Sequence, residues 1–499
     1  MSALTALFEG IALALSWPTV FWLAVGVLLG ITIGAIPGLG PNLGMAVVLP
    51  LTLPLGETSG IILLIGIYSG SMYGGSVAAI LMNVPGTAAA AATTFDGYPL
   101  SRQGEAMFAL SASAFSSASA GFITVIALIL VSPVLITIVL LFGSPEYFLV
   151  AILGLSMITI VAQGSIVKGL VAGAFGLLLS TIGIAPMSPE VRFAFGSIEL
   201  YDGLDFVAAI LGIFAVAEML KLANERGSIA RQSIDTAGSP LEGVRSSIAR
   251  WYLLLKSAFI GMFIGSIPGA GAAVSNFVAY SEAIRSSKNA DEFGKGNIDG
   301  VIAAESSNNG TVGGSLIPAL SFGIPGSGAT AVLLGGLLLH GLNPGPDLFT
   351  TELSFTYAIF VSLFIGNIII LIVGLSLITR MEYLTRIDTQ VLIPIVFVLA
   401  VSGAYILRNN WIDVLTVAAF GVIGYYMFAH DFSIVAFILG VVLGEVAEEN
   451  FLRSLSISDG SYLIFVNSWS SRLLVLATIL VLLGPFLKLA LQRWSETPK

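Results

Sequence analysis

The feature that most limits how this chain can fold is a succession of uninterrupted apolar runs, each about as long as a helix must be to cross a lipid bilayer. A helix rises about 1.5 Å per residue, so roughly 20 apolar residues cross a hydrocarbon core about 30 Å thick. The clearest runs are Trp17 to Ile36, Ile61 to Val84, Ala120 to Leu141, Gly169 to Ala185, Ile359 to Ile378, Val391 to Leu407 and Leu473 to Leu491. They are continuous rather than alternating and longer than a strand needs, which points to transmembrane helices and not to a barrel. With 56% of 499 residues hydrophobic and 10% charged, such runs cannot be hidden in soluble domains. The expectation is an all-α polytopic membrane protein with roughly a dozen spans.

Composition also removes whole classes of function. Cysteine is absent and the two histidines, His340 and His430, are far apart, so thiolate, disulfide and histidine-metal chemistry has almost no ligands. The net charge of −9 comes without a basic stripe, which argues against nucleic-acid binding. No Lys or Arg precedes the first apolar run, and the first helix is expected to be retained rather than cleaved as a signal.

The chain reads as two related halves. Residues 34 to 40 are Gly-Ala-Ile-Pro-Gly-Leu-Gly and residues 265 to 271 are Gly-Ser-Ile-Pro-Gly-Ala-Gly, identical at five of seven positions. Further on, Gly74-Gly75-Ser76 recurs as Gly313-Gly314-Ser315, and Pro85-Gly86-Thr87 as Pro325-Gly326-Ser327, in the same order. Three matches in register indicate an internal duplication. The expected organisation is a first transmembrane repeat over residues 1–222, a polar cytoplasmic linker over 223–250 and a second repeat over 251–499.

Charge suggests how the halves sit. Nine of the 20 basic residues lie between Lys221 and Lys295, whereas residues 1 to 101 contain none, which puts the linker in the cytoplasm. The segment between Lys256 and Arg285 is apolar, is broken by Pro268-Gly269 and has basic residues at both ends, as a re-entrant hairpin entered from the cytoplasm would. Its counterpart from Trp17 to Glu57 is flanked by Glu9 and Glu57 and would enter from the periplasm. Two related hairpins from opposite sides describe an inverted-topology repeat, the architecture of elevator-like secondary transporters.

The interruptions are the candidate site. Backbone groups freed by Pro and Gly cannot face lipid, because each unsatisfied group costs several kcal/mol. A single Gly or Pro needs no more explanation than close packing or a kink. Paired, in register and followed by Asn, Ser or Thr, they are the expected pointer to a binding site. The candidates are Gly38, Gly40 and Asn42; Pro85, Gly86 and Thr87; Gly269, Gly271, Ser275 and Asn276; and Gly326 with Ser327. A helix restarting after each break aims free amides and its positive dipole end at the break, a setting for a carboxylate. Carbonyls near Pro37 and Pro268 are candidate Na⁺ ligands. Glu305, Asn308 and Asn309 share a helix face, and the two asparagines join the site as neutral ligands. Glu305 is read either as an interfacial helix cap or as a buried carboxylate needing a partner or an ion. His430-Asp431 reads as a loop, and Glu445, Glu448 and Glu449 with Arg453 as a solvated helix end.

At these motifs the chain resembles the large membrane subunit of the tripartite tricarboxylate transporter family. The resemblance rests on Gly34 to Asn42, Asn83 to Thr87, Phe95-Asp96-Gly97-Tyr98-Pro99-Leu100 followed by Arg102 to Ala106, Glu305 to Gly310, Gly323 to Ser327, and Glu448-Glu449-Asn450 with Leu452-Arg453. It departs locally: no proline stands between Ala304 and Glu305, and serines follow the glutamate. The resemblance implies import of citrate-like di- and tricarboxylates across the bacterial inner membrane, coupled to an ion gradient. It also implies two partners, a small membrane subunit and a periplasmic solute-binding protein. No cofactor is expected beyond Na⁺ or H⁺ as coupling ion.

Electrostatics agree with coupling, since bringing a dianion into a negative interior costs about 4.6 kcal/mol per 100 mV at about 2.3 per charge. Two co-transported cations cancel that cost and a third drives accumulation. No Gly-Lys-Ser/Thr phosphate loop is present, so ATP is not expected to power this chain. The competing expectations are an anion-selective channel and an intramembrane serine hydrolase built on Ser69, whose base could only be His340 or His430.

Overall fold

The computed structural model describes residues 3–158, 165–224, 239–376 and 389–495. The first half opens with α1 (Ala3–Ala14) and α2 (Trp17–Ala35). Pro37 prevents α2 from continuing, the chain turns through Gly38 at φ +86°, and α3 (Pro41–Val48) restarts with proline in its first turn, where a missing amide costs nothing. Next comes α4 (Glu57–Met82), buried along its span and closed by Asn83 in the left-handed region at φ +60°. The first half continues through α5 (Thr93–Arg102), α6 (Ala106–Leu141), α7 (Ser144–Ser156) and α8 (Ile166–Ser180) to α9 (Phe206–Asn224). In α9 the residues Leu211–Val216 widen into a π-turn. A small antiparallel pair, Gly183–Ile184 with Val191–Arg192, precedes it.

The second half begins with α10 (Pro240–Ala249), bent by 78° against α11 (Trp251–Gly265). After the Pro268-Gly269 turn come α12 (Gly271–Ser286), α13 (Ile298–Phe322) and, past Gly323 at φ +68°, α14 (Gly328–Leu339). The remaining helices are α15 (Leu353–Ser376), α16 (Thr389–Arg408), α17 (Trp411–Ala429), α18 (Ile434–Ile457) and α19 (Trp469–Ser495).

The protein is a helical polytopic membrane protein. Among the described residues six helices are long and apolar enough to cross a bilayer alone, or seven if the bent pair α10–α11 is one span. Other apolar helices, such as α1, α7, α8 and α14, have 12–15 residues and are too short to cross singly, so runs of hydrophobic residues do not translate one for one into spans. The run from Ala120 belongs to a helix that already starts at Ala106. The run from Gly169 to Ala185 stops being helical after Ser180 and passes into the small strand pair. Ile378 lies outside the described residues.

The linker is in part structured: Pro240–Ala249 is helix and packs on α6, whereas Arg226 and Arg231 lie outside the described residues.

Packing in the two halves is matched. Helix α2 lies along α4 as α11 lies along α13, while α17 packs on α9 as α8 packs on α18. Both first pairs rest on glycine. A β-carbon at Gly34 would sit 2.3 Å from the Ser71 carbonyl oxygen, and one at Gly265 would sit 2.8 Å from that of Thr311. Only a residue without a side chain lets the main chains meet this closely.

Candidate functional site

The interruptions meet around one cavity of about 600 Å³ between the halves. Gly38, Gly40 and Asn42 line it from the first hairpin, Pro85, Gly86 and Thr87 from the turn after α4, Gly269 and Gly271 from the second hairpin, and Ser327 from the start of α14. Pro37 and Pro268 stand behind these turns and do not reach the lining.

The turns are stitched to their own halves by main-chain bonds. The Gly86 amide donates to the Gly75 carbonyl at 3.1 Å, and the Gly269 amide donates to the Gly326 carbonyl at 3.1 Å. Gly86 is pressed so tightly that a β-carbon would lie 2.0 Å from the Gly34 carbonyl oxygen, joining two motif glycines distant in sequence.

Helix starts point at the space. Ser327 caps α14 reciprocally: its hydroxyl accepts from the Thr330 amide at 3.3 Å, and its own amide donates to the Thr330 hydroxyl at 2.8 Å. The Asn42 amide, in the first turn of α3, lies against Gly328 in the first turn of α14, so starts from both halves face each other. Tyr68 of α4 reaches across to the second half, its hydroxyl 2.9 Å from the Ser315 hydroxyl and 3.5 Å from that of Ser327. The Thr87 hydroxyl is buried with no hydrogen-bond partner.

Five of the expected residues lie elsewhere. Ser275 bonds to the Thr311 hydroxyl at 2.7 Å, and Asn276 accepts from the Ala92 amide at 2.7 Å, both fully buried within the protein. Gly326 packs on Gly265 and Ser315 behind the turn. Asn308 and Asn309 donate to the carbonyls of Met72 and Ser117, at 3.1 and 2.9 Å, in the seam between α13 and the first half. Glu305 is in the same seam with no exposed surface, so the interfacial-cap reading is incorrect. Helical spacing identifies residues that share a face; here that face looks toward α4 and α6 rather than into the cavity.

Sequence reasoning missed the opposite wall. Phe214, Glu218 and Lys221 of α9, with Phe428 and the turn from Asp431 to Val435, complete the lining. Lys221 is its one basic side chain among the described residues, 3.1 Å from Glu218 and 5.4 Å above the Phe428 ring. The sequence reading counts Lys221 only as the first of a basic run. His430-Asp431 does lie in the turn between α17 and α18. A second cavity of about 790 Å³ lies toward the other end of α14, beside Leu334, Leu338 and Gly323. It takes in Glu445, Glu448 and Arg453, and Glu448 pairs with Arg192 at 2.6 Å rather than standing free in solvent.

Ser69 lacks the setting of a nucleophile. Its hydroxyl donates to the Gly66 carbonyl at 3.3 Å, while His340 pairs with the Thr52 hydroxyl at 2.9 Å and His430 stacks on Tyr426.

Paired broken helices enclosing a cavity inside a helical membrane bundle describe a transporter-type membrane protein. The family model of the tripartite tricarboxylate transporter TctA family matches residues 20–439, and the chain belongs to that family. A relative from Agrobacterium vitis, an uncharacterized 52.8 kDa protein of the TAR-I ttuC′ 3′ region, is 34% identical over 493 residues, covering 98% of each chain. A second from the same organism, an uncharacterized protein of the TAR-II ttuC′ 3′ region, is 35% identical over 225 residues, 45% of this chain and 93% of its own length. No solved structure matches the chain.

Proposed function

We propose that this chain is the permease subunit of a binding-protein-dependent secondary transporter that imports citrate-like di- and tricarboxylates by symport with Na⁺ or H⁺. The observation that carries the reading is the cavity itself, about 600 Å³ and lined by the Pro-Gly turns of both halves opposite Lys221. The first turns of α3, α12 and α14 border that space, and Lys221, paired with Glu218, is the basic side chain facing them. Each exposed helix start favours an anion by about 0.3–1 kcal/mol, and more when partly buried. Substrate carboxylates bind there, with Asn42, Thr87 and Ser327 as hydrogen-bonding partners.

The two halves act as an inverted repeat over residues 1–222 and 251–499, on either side of a cytoplasmic linker. The matched packing and the repeated left-handed turns, Gly38 with Gly269 and Asn83 with Gly323, support this. Moving one half past the other alternates access in an elevator-like manner. The chain works in the bacterial inner membrane with a small membrane subunit and a periplasmic solute-binding protein that delivers the substrate.

Labelled-carboxylate uptake into proteoliposomes, with a panel of binding proteins and with imposed Na⁺ or H⁺ gradients, tests the reading. Saturable uptake that stops when both gradients collapse is expected. Uptake that persists unchanged after the collapse refutes symport, and non-saturable flux refutes a carrier in favour of an anion channel.

A further inference from the structure

Glu305 is a carboxylate deep in the seam between the halves, and among the described residues no basic side chain pairs with it. It has no exposed surface, and it is held entirely by hydroxyls from the first half. Oε2 accepts from Ser76 at 2.7 Å, Ser117 at 2.9 Å and Ser113 at 3.1 Å, and Oε1 from Thr93 at 2.5 Å. Ser113 and Ser117 are one turn apart on α6, so both face it.

One turn further along α13, Asn308 and Asn309 add two more oxygens. Their amide nitrogens are committed to the carbonyls of Met72 and Ser117, which fixes the orientation of each side chain. The two Oδ1 atoms are left buried with no donor. Along one face of α13 the seam therefore holds a carboxylate bonded by four hydroxyls and, one turn on, two amide oxygens without donors, and oxygen groups of this kind suit a hard monovalent cation or a proton. Met72, which the Asn308 amide touches, also lines the cavity, so the set begins where the wall of the substrate space ends.

An unpaired carboxylate in a membrane interior costs about 2.5–3.5 kcal/mol on insertion scales. Hydroxyl dipoles offset part of that cost while the halves stay in register, but sliding one half past the other would strip them from a bare charge. A cation that neutralises the carboxylate removes the obstacle.

We propose that Glu305 carries the coupling cation, one H⁺ or Na⁺ binding at its carboxylate in each transport cycle. The cation arrives from water on the side where substrate is loaded and returns to water on the other side; no bond changes except that between the carboxylate and the cation. The inference rests on the transport reading given above. Of the other ionisable groups on packed elements, Tyr73 of α4 lies in the electrostatic field of the carboxylate, Tyr68 of α4 is bonded to Ser315, Asp96 of α5 and Tyr280 of α12 are bonded to each other, Lys256 of α11 is paired with Glu282, and α6 carries none.

The test compares the full chain and E305Q, each reconstituted with its partner subunits. One assay is gradient-driven uptake of labelled carboxylate under an inward Na⁺ or an inward H⁺ gradient, and the other is substrate exchange at equilibrium without a gradient. The variant keeps the shape and loses the charge. Gradient-driven uptake is expected to fall about tenfold or more while exchange stays within about twofold, and the gradient that drives the wild type names the cation. E305Q that concentrates substrate as the wild type does overturns the inference alone. Loss of exchange in both E305Q and E305D assigns Glu305 a structural role and also overturns it. A wild type that transports no carboxylate of the panel overturns the transport reading and this inference together.

Discussion

Replacing Gly86 by alanine probes the contact on which the cavity is built. The added β-carbon would lie 2.0 Å from the Gly34 carbonyl oxygen and 2.9 Å from the Gly75 α-carbon, where ordinary contact begins at 3.4 Å. Both neighbours are main chain, so no rotamer change can relieve the clash, and the turn must move away from α2 by about 1.4 Å. Overpacking of this kind costs about 1–3 kcal/mol. The displacement would also carry Pro85 and Thr87 out of the lining.

Gly40 is the control: it lines the same cavity, has an ordinary φ of −89° and would meet nothing within 4 Å as alanine. In a thermal-unfolding assay on detergent-purified protein, G86A is expected to melt several degrees below wild type and G40A within about a degree of it. Uptake by G86A should fall at least in proportion to its loss of folded protein. A G86A protein that melts with the wild type and transports normally would refute the packing argument, because the two glycine segments could not then be in main-chain contact.

Three further outcomes follow from polar contacts elsewhere in the protein. Asp96 accepts from the amides of Gly294, Gly296 and Asn297 at 2.8–2.9 Å and from the Tyr280 hydroxyl at 2.8 Å; D96A leaves those donors unpaired at about 1–3 kcal/mol each and should raise hydrogen exchange at residues 294–297 selectively. Y68F removes the hydroxyl bridge to Ser315 and Ser327 and should lower thermal stability by about 1 kcal/mol without altering the helical circular dichroism. At the exposed end of α12, Arg285 and Lys256 hold the Glu282 carboxyl at about 2, against an ordinary 4.5. A depressed carboxylate contributes stability that is fully present above about pH 4.5 and is lost as pH falls toward 2, so wild type and E282Q should differ in melting temperature at pH 6 and converge in acid.

The elements that the sequence made legible were those written in backbone chemistry. Pro37, Pro268 and the glycines beside them leave few conformations open, so the breaks at 36–40 and 266–270 lie where the motifs place them. The Lys256 to Arg285 hairpin was readable from charge at its two ends, and the structure ties those ends together through Glu282.

Side-chain direction was less legible. Spacing grouped Glu305, Asn308 and Asn309, yet whether their face met a cavity or another helix depended on where α4 and α6 pack, which involves contacts some 190 to 240 residues away in sequence. The hydroxyl pair Ser113 and Ser117 was a signal of a polar helix face on α6 that a search for Pro-Gly breaks passes over. Lys221 was hidden by its neighbours in sequence, since a charge at the edge of a basic run looks like part of a solvated loop.

The cavity walls differ in kind. One side is largely main chain, glycines, prolines and helix starts, and at Gly86 it is packed at a distance that admits no side chain. At Gly86 that surface cannot take a side chain without displacing the turn. The facing side, Phe214, Glu218 and Lys221 with the turn from Asp431 to Val435, is made of replaceable side chains. Diversification of substrate among permeases of this design is thereby channelled onto α9 and the α17–α18 corner, and grafting those two segments between paralogues is the economical way to reprogram selectivity.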